Sequence, residues 1–119
     1  MRKRLPETRI GITRKASVGG MEYYATVNFY PDSADPGEIF VVIAKEGSTI
    51  AGFVDALAVT ISVALQHGVP WEILGEKYLH TIFDPRDDNA SSLVDGLAQT
   101  ISNLVELRKG QLNESTNAE

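Results

Sequence analysis

The 119-residue sequence contains no cysteine. Disulfide scaffolds, thiolate zinc sites, iron–sulfur clusters and thiol nucleophiles are therefore excluded together. Histidine is nearly as scarce: His67 and His80 are the only two, and no His-rich metal pattern exists. His67 lies at an expected helix end and His80 in Tyr-Leu-His-Thr-Ile-Phe, settings that favour structural roles. No Gly-x-Ser-x-Gly elbow, P-loop or dinucleotide fingerprint is present, and Lys45-Glu46-Gly47-Ser48-Thr49 lacks the first glycine of a Walker loop. Hydrolase and kinase readings lose their support, and a chain without catalysis, metal or cofactor is expected. Residues 50–65 form the main apolar run, and Asp55 interrupts it; it reads as too short and too broken to span a bilayer. A signal peptide does not fit either, because Arg2, Lys3 and Arg4 lead into Pro6, Glu7 and Thr8 and not into an apolar segment. A cytoplasmic protein without a membrane partner is expected.

What is present amounts to one domain with one core, since 43% hydrophobic content is too high for a disordered chain. A net charge of −5 disfavours binding to a nucleic-acid polymer. The charge is uneven: Arg2, Lys3, Arg4, Arg9, Arg14 and Lys15 against Glu7 make residues 1–15 locally +5, leaving −10 for the rest. Such an arm is either solvated, or crosses an acidic surface or an anionic ligand. The expected organisation is a basic arm over 1–8, a domain over 9–110 and a flexible tail over 111–119.

The fold class expected is α+β, an antiparallel sheet in the N-terminal half followed by two or three helices. Ile10 and Ile12 alternate with polar neighbours before a Gly19-Gly20 turn. Residues 21–30 alternate strictly, with Tyr23, Ala25, Val27 and Phe29 on one face. Residues 38–44 are almost continuously apolar and predict a central strand covered on both faces. The period then becomes helical. Ser48 or Thr49 caps a helix with Ile50, Phe53, Val54, Leu57, Ala58, Ile61, Ala64 and Leu65 as its stripe, ending at Gly68. Pro70 opens a short helix carrying Trp71, Ile73, Leu74 and Tyr78. Ser91 or Ser92 starts a last helix in which Arg108 and Lys109 complement the C-terminal dipole before Gly110. The first helix is apolar on its other side too, with Ala51, Gly52, Ala56, Val59, Thr60 and Val63. Either the last helix covers that side, or a second subunit does, and a homo-oligomer is expected.

Two segments carry candidate binding chemistry. A helix start exposes free N–H groups and a partial positive charge, so Gly47, Ser48 and Thr49 beside Lys45 suit a phosphate or carboxylate, although Ser and Thr are also ordinary caps. Between residues 78 and 89, Tyr78, His80, Phe83, Arg86 and Asn89 combine a stacking ring, a cation and an amide, as base recognition requires. The alternative is that Phe83 is core and Arg86 pairs with Asp84, Asp87 or Asp88.

The ordered blocks Leu5-Pro6-Glu7-Thr8-Arg9, Pro36-Gly37-Glu38-Ile39-Phe40, Ala44-Lys45-Glu46-Gly47-Ser48-Thr49-Ile50, Ala64-Leu65-Gln66-His67-Gly68-Val69-Pro70 and His80 to Pro85 resemble the TSCPD domain. That domain stands near the C-terminus of adenosylcobalamin-dependent (class II) ribonucleotide reductases and also occurs as free-standing bacterial and phage proteins. The likeness runs over roughly residues 5–107. Since it lacks cysteine, a barrel and a cobalamin site, this chain is expected not to be a reductase itself. In size and order of elements it is also similar, by analogy of build, to the anti-Thoeris sponges with which phages trap cyclic ADP-ribose isomers. These resemblances imply a non-catalytic oligomer that sequesters a phosphorylated, nucleotide-derived small molecule, a cyclic nucleotide or cyclic ADP-ribose type of immune signal. The implied roles are Lys45, Ser48, Thr49, Arg9 and Arg14 toward anionic groups, Phe83 for stacking, and Arg86, Asn89 and Arg108 for polar contacts. The alternative is an accessory or regulatory module related to ribonucleotide reductase, docking through the apolar helix.

Overall fold

A computed structural model describes residues 1–44 and 47–117. Alternation produces β1 (Ile10–Val18) and β2 (Met21–Phe29), joined in register from Ile10 opposite Phe29 to Val18 opposite Met21. Only Gly19 and Gly20 remain for the turn, and both take positive φ, 56° and 82°, as a tight hairpin requires. Tyr23, Ala25, Val27 and Phe29 are buried, as their period predicts. The remaining strand, β3 (Pro36–Ile43), pairs antiparallel with β2 and completes a three-stranded sheet in the order β1-β2-β3.

The order corrects one expectation. β3 is an edge strand, covered on one face: Ile39, Val41 and Ile43 point into the core, while Phe40 and Val42 are half exposed on the other side. A continuous apolar run cannot distinguish a doubly covered strand from one whose outer face is bare.

Three helices follow, which makes the domain α+β: α1 (Thr49–Gln66), α2 (Trp71–Tyr78) and α3 (Leu93–Asn117). Ser48 caps α1 by accepting from the Ala51 N–H at 3.2 Å. The helix lies along the free edge of β3, where unpaired strand groups need partners. Ser62 Oγ accepts from the Ile39 N–H at 2.9 Å, and Gln66 Nε2 donates to the Gly37 carbonyl at 2.9 Å. Val54, Ala58, Ile61 and Leu65 supply the inward stripe. Phe53, expected among them, is 74% exposed, because the 4-3-4 spacing from Val54 turns it toward solvent.

α3 packs Leu93, Leu97, Ala98, Ile101, Leu104 and Val105 into the core, with Tyr23 Oη bonded to Thr100 Oγ1 at 3.0 Å. Gly96 permits the closest approach: a Cβ there would stand 2.4 Å from the Val18 side chain. α3 does not stop at Gly110 but continues to Asn117, since that glycine takes helical backbone at a cost of only about 1 kcal/mol relative to alanine. Trp71 of α2 is buried and donates through Nε1 to Ser102 of α3 at 3.0 Å. By length and composition alone α1 is apolar enough to cross a membrane despite Asp55, contrary to the sequence reading.

Candidate functional site

The hairpin and the β2–β3 turn divide the sheet into a tip end, at Gly19-Gly20, and a turn end, at residues 30–35. Nine-residue strands separate the two by roughly 30 Å. The loop over 80–92 lies at the tip end. Asp87 fixes it there, accepting from the Gly19 N–H through Oδ2 and from the Asn89 and Ala90 N–H groups through Oδ1, all at 2.9 Å. The bond from Gly19 is the largest influence holding the Asp87 carboxyl below its ordinary pKa, and those from Asn89 and Ala90 add to it. From inside, Asp95 does the same work. Its carboxylate accepts from the His80 N–H at 2.7 Å, the Ser91 N–H at 2.8 Å and Gln99 Nε2 at 3.1 Å. Burial pushes its pKa up, but these donors together outweigh burial and the net shift is downward. Ser92 Oγ accepts from the Asp95 N–H at 2.9 Å, capping the start of α3.

With both ends pinned, the loop presents Ile82, 71% exposed, and Phe83, 45% exposed. Phe83 is thus not core. Arg86 pairs with Asp84 at 3.0 Å, one of the pairings expected, and Asn89 is exposed beyond it. Ser48 and Thr49 follow the tip end of β3, since Ala44 still bonds to Glu22 of β2. The two candidate segments therefore share one end of the sheet. Lys45 lies outside the described residues.

At the turn end the cations have structural partners. Arg9 donates to both carboxylate oxygens of Glu38 at 2.7 Å, and Asn28 donates to the same carboxylate. Arg108, buried at 8% exposure, donates to the Ser33 carbonyl at 3.1 Å and lies over the Phe29 ring at 5.8 Å. Since α3 runs on past it, Arg108 does not serve a helix C-terminus; it locks the β2–β3 turn. The arm is seated as well. Lys3 N–H bonds to the Gln66 carbonyl at 2.7 Å, Arg2 Nε to Gln66 Oε1 at 2.6 Å, and Leu5 is buried against Gly37. Arg2 and Lys3 thereby stand at the negative end of the α1 dipole, which has no basic residue in its own last turn. Arg14 is exposed along β1. Arg9 and Arg108 are accordingly too far from the loop for one small ligand to reach both groups within a single chain.

Three cavities can be placed among the described residues. One of about 740 Å³ lies between the arm, the β2–β3 turn and the α1–α2 junction, near Lys3, Tyr30 and Trp71. Another, of about 380 Å³, opens between α2 and α3 beside Trp71, His80 and Val105. A third, also about 380 Å³, is a trough between β3 and α1. Among the described residues no group of three or more His, Cys, Asp or Glu is placed to hold a metal ion. Sequence reasoning missed Asp87 and Asp95 as organisers, although Ser92-x-x-Asp95 is a readable capping signal.

These features define a small α+β domain whose polar clusters serve its own loops. The TSCPD domain family matches residues 2–105, and the chain belongs to it. It is 44% identical over 105 residues to a vitamin B12-dependent ribonucleotide reductase of Rhodopirellula baltica, covering 82% of this chain and 10% of that protein. For the enzyme of the same name in Streptomyces clavuligerus the identity is 43%, covering 86% and 11%, and for that of Streptomyces coelicolor it is 48%, covering 71% and 9%. The chain thus spans about a tenth of the length of these relatives. No solved structure matches it.

Proposed function

We propose that this chain is a non-catalytic recognition module related to ribonucleotide reductase, which binds a reductase of the vitamin B12-dependent kind through the 80–92 loop. The observation that carries the reading is the loop itself. It is held at both ends by buried or multiply bonded carboxylates, yet turns Ile82 and Phe83 outward. Apolar side chains on a preorganised loop lose little entropy on binding, and an aromatic anchor is the usual centre of an interface. Family membership supports this choice of partner: the relatives carry this unit as about a tenth of a much longer chain. The test is binding in trans to a purified vitamin B12-dependent reductase truncated before its own TSCPD region. Saturable binding that Phe83→Ala abolishes is expected; no binding to the truncated enzyme would reject the reading.

A second reading keeps the loop and changes the ligand. Phe83 and Arg86 stand three residues apart at the same end of the sheet as the α1 N-terminus, which suits an aromatic base with an attached phosphate. Sequestration of a cyclic nucleotide or a cyclic ADP-ribose isomer by an oligomer would then be the function. Thermal shift distinguishes the two: a small molecule present at a hundred times its Kd raises stability by about 2.7 kcal/mol. No shift with nucleotides, cyclic nucleotides or cyclic ADP-ribose isomers leaves only the reductase reading.

A further inference from the structure

The geometry points to a symmetric dimer of this chain, formed by antiparallel packing of α1 on α1 and extended by the outer face of β3. Thr49, Gly52, Ala56, Val59 and Val63 recur at spacings of three and four, the pattern of a helix-pairing seam. They lie to one side of the inward stripe. Val59 is 63% exposed, Gly52 and Ala56 are exposed, and a Cβ on Gly52 would meet nothing within 4 Å, so a second helix has room to approach closely. Phe53 flanks the seam on one side, and Phe40 and Val42 flank it across the trough. Together they form an apolar patch of the kind that marks an interface.

Charge identifies the occupant. The trough has Asp55 toward one end and Arg2 with Gln66 at the other, and is mainly apolar between them. Glu38, also at the Arg2 end, is already neutralised by Arg9 at 2.7 Å. The patch is therefore acidic at one end and basic at the other, and a two-fold axis across it makes it complementary to itself. With the axis near Val59, Asp55 of one helix falls opposite Val63 of the other, within about 5 Å along the axis of the Gln66 that Arg2 holds. The two Asp55 carboxylates are then about 12 Å apart along the axis. Parallel pairing would set them side by side in an apolar seam, where neither has a counter-ion. A lipid surface would face the same unpaired carboxylate. The dimer stands independently of reductase docking, since the 80–92 loop takes no part in it.

Sedimentation equilibrium of the full chain through the micromolar range tests the proposal. A dimer is expected, with Val59→Glu raising its dissociation constant more than about 30-fold and leaving the far-UV circular dichroism unchanged, because Val59 is exposed in the single chain. Asp55→Arg and Arg2→Asp should each weaken the dimer, and the two together should restore it. A monomer at every concentration overturns the proposal, as does a dimer indifferent to Val59→Glu. A double variant no tighter than either single one overturns the antiparallel arrangement. Phosphatidylcholine–phosphatidylglycerol vesicles provide the other arm: a monomer that sediments with them, and no longer does so as Val59→Glu, assigns the face to lipid instead.

Discussion

The two ends of the sheet are held by charges of opposite sign and leave different side chains to solvent. At the turn end Arg9, Arg108, Arg2 and Lys3 all contact this chain's own carboxylate, carbonyl groups, amide or ring. At the tip end the backbone of the 80–92 loop is what the carboxylates hold, and its side chains Ile82 and Phe83 are left to solvent. A cation in a candidate site is thus weak evidence of ligand binding until its partners are known. A loop whose backbone is tightly bonded and whose apolar side chains are not buried points more strongly to recognition.

The contrast can be broken by substitution. Asp95→Ala should have the largest effect on stability, about 3 kcal/mol in chemical denaturation, because it strands the N–H groups of His80 and Ser91 beside the core. Retention of wild-type stability would mean that Asp95 does not organise the loop. Arg108→Ala follows at about 2 kcal/mol, through loss of a buried charged hydrogen bond and of packing on Phe29. Ser62→Ala should cost about 1 kcal/mol, loosening α1 from the β3 edge.

Acid should act on the tip end through Asp87 and Asp95. Both folded-state pKa values are depressed, so the stability they contribute is present above the unfolded value of 3.8 and is lost as pH falls through the lower folded values. Amide hydrogen exchange at Gly19, Asn89 and Ser91 should show protection lost there first below pH of about 3.8. Loss first at Lys3 and the turn end would contradict this order. Smallest of all, Phe83→Ala should change stability by less than about 0.5 kcal/mol while removing binding.

Much of this fold was readable from periodicity. The period of two in residues 21–29 assigns every buried side chain of β2 correctly, and the Gly19-Gly20 pair marks its turn. Periodicity does not say how many strands flank a given one, and so β3 reads as central when it is an edge. Nor does it fix which way a broad apolar helix faces, hence the misplacement of Phe53. The candidate residues were harder still. Arg86 with Asp84 is a local pair visible in sequence, whereas Arg108 with Ser33 and Arg9 with Glu38 join positions 75 and 29 residues apart. Only the folded sheet shows that these cations are already engaged.

Calorimetric titration of this chain into a vitamin B12-dependent ribonucleotide reductase truncated before its TSCPD region tests the central claim most directly. Saturable binding, abolished by Phe83→Ala and retained by Arg9→Ala, is the result expected from a recognition loop at the tip end. No heat of binding to the truncated enzyme, or equal binding by the Phe83→Ala chain, would contradict it.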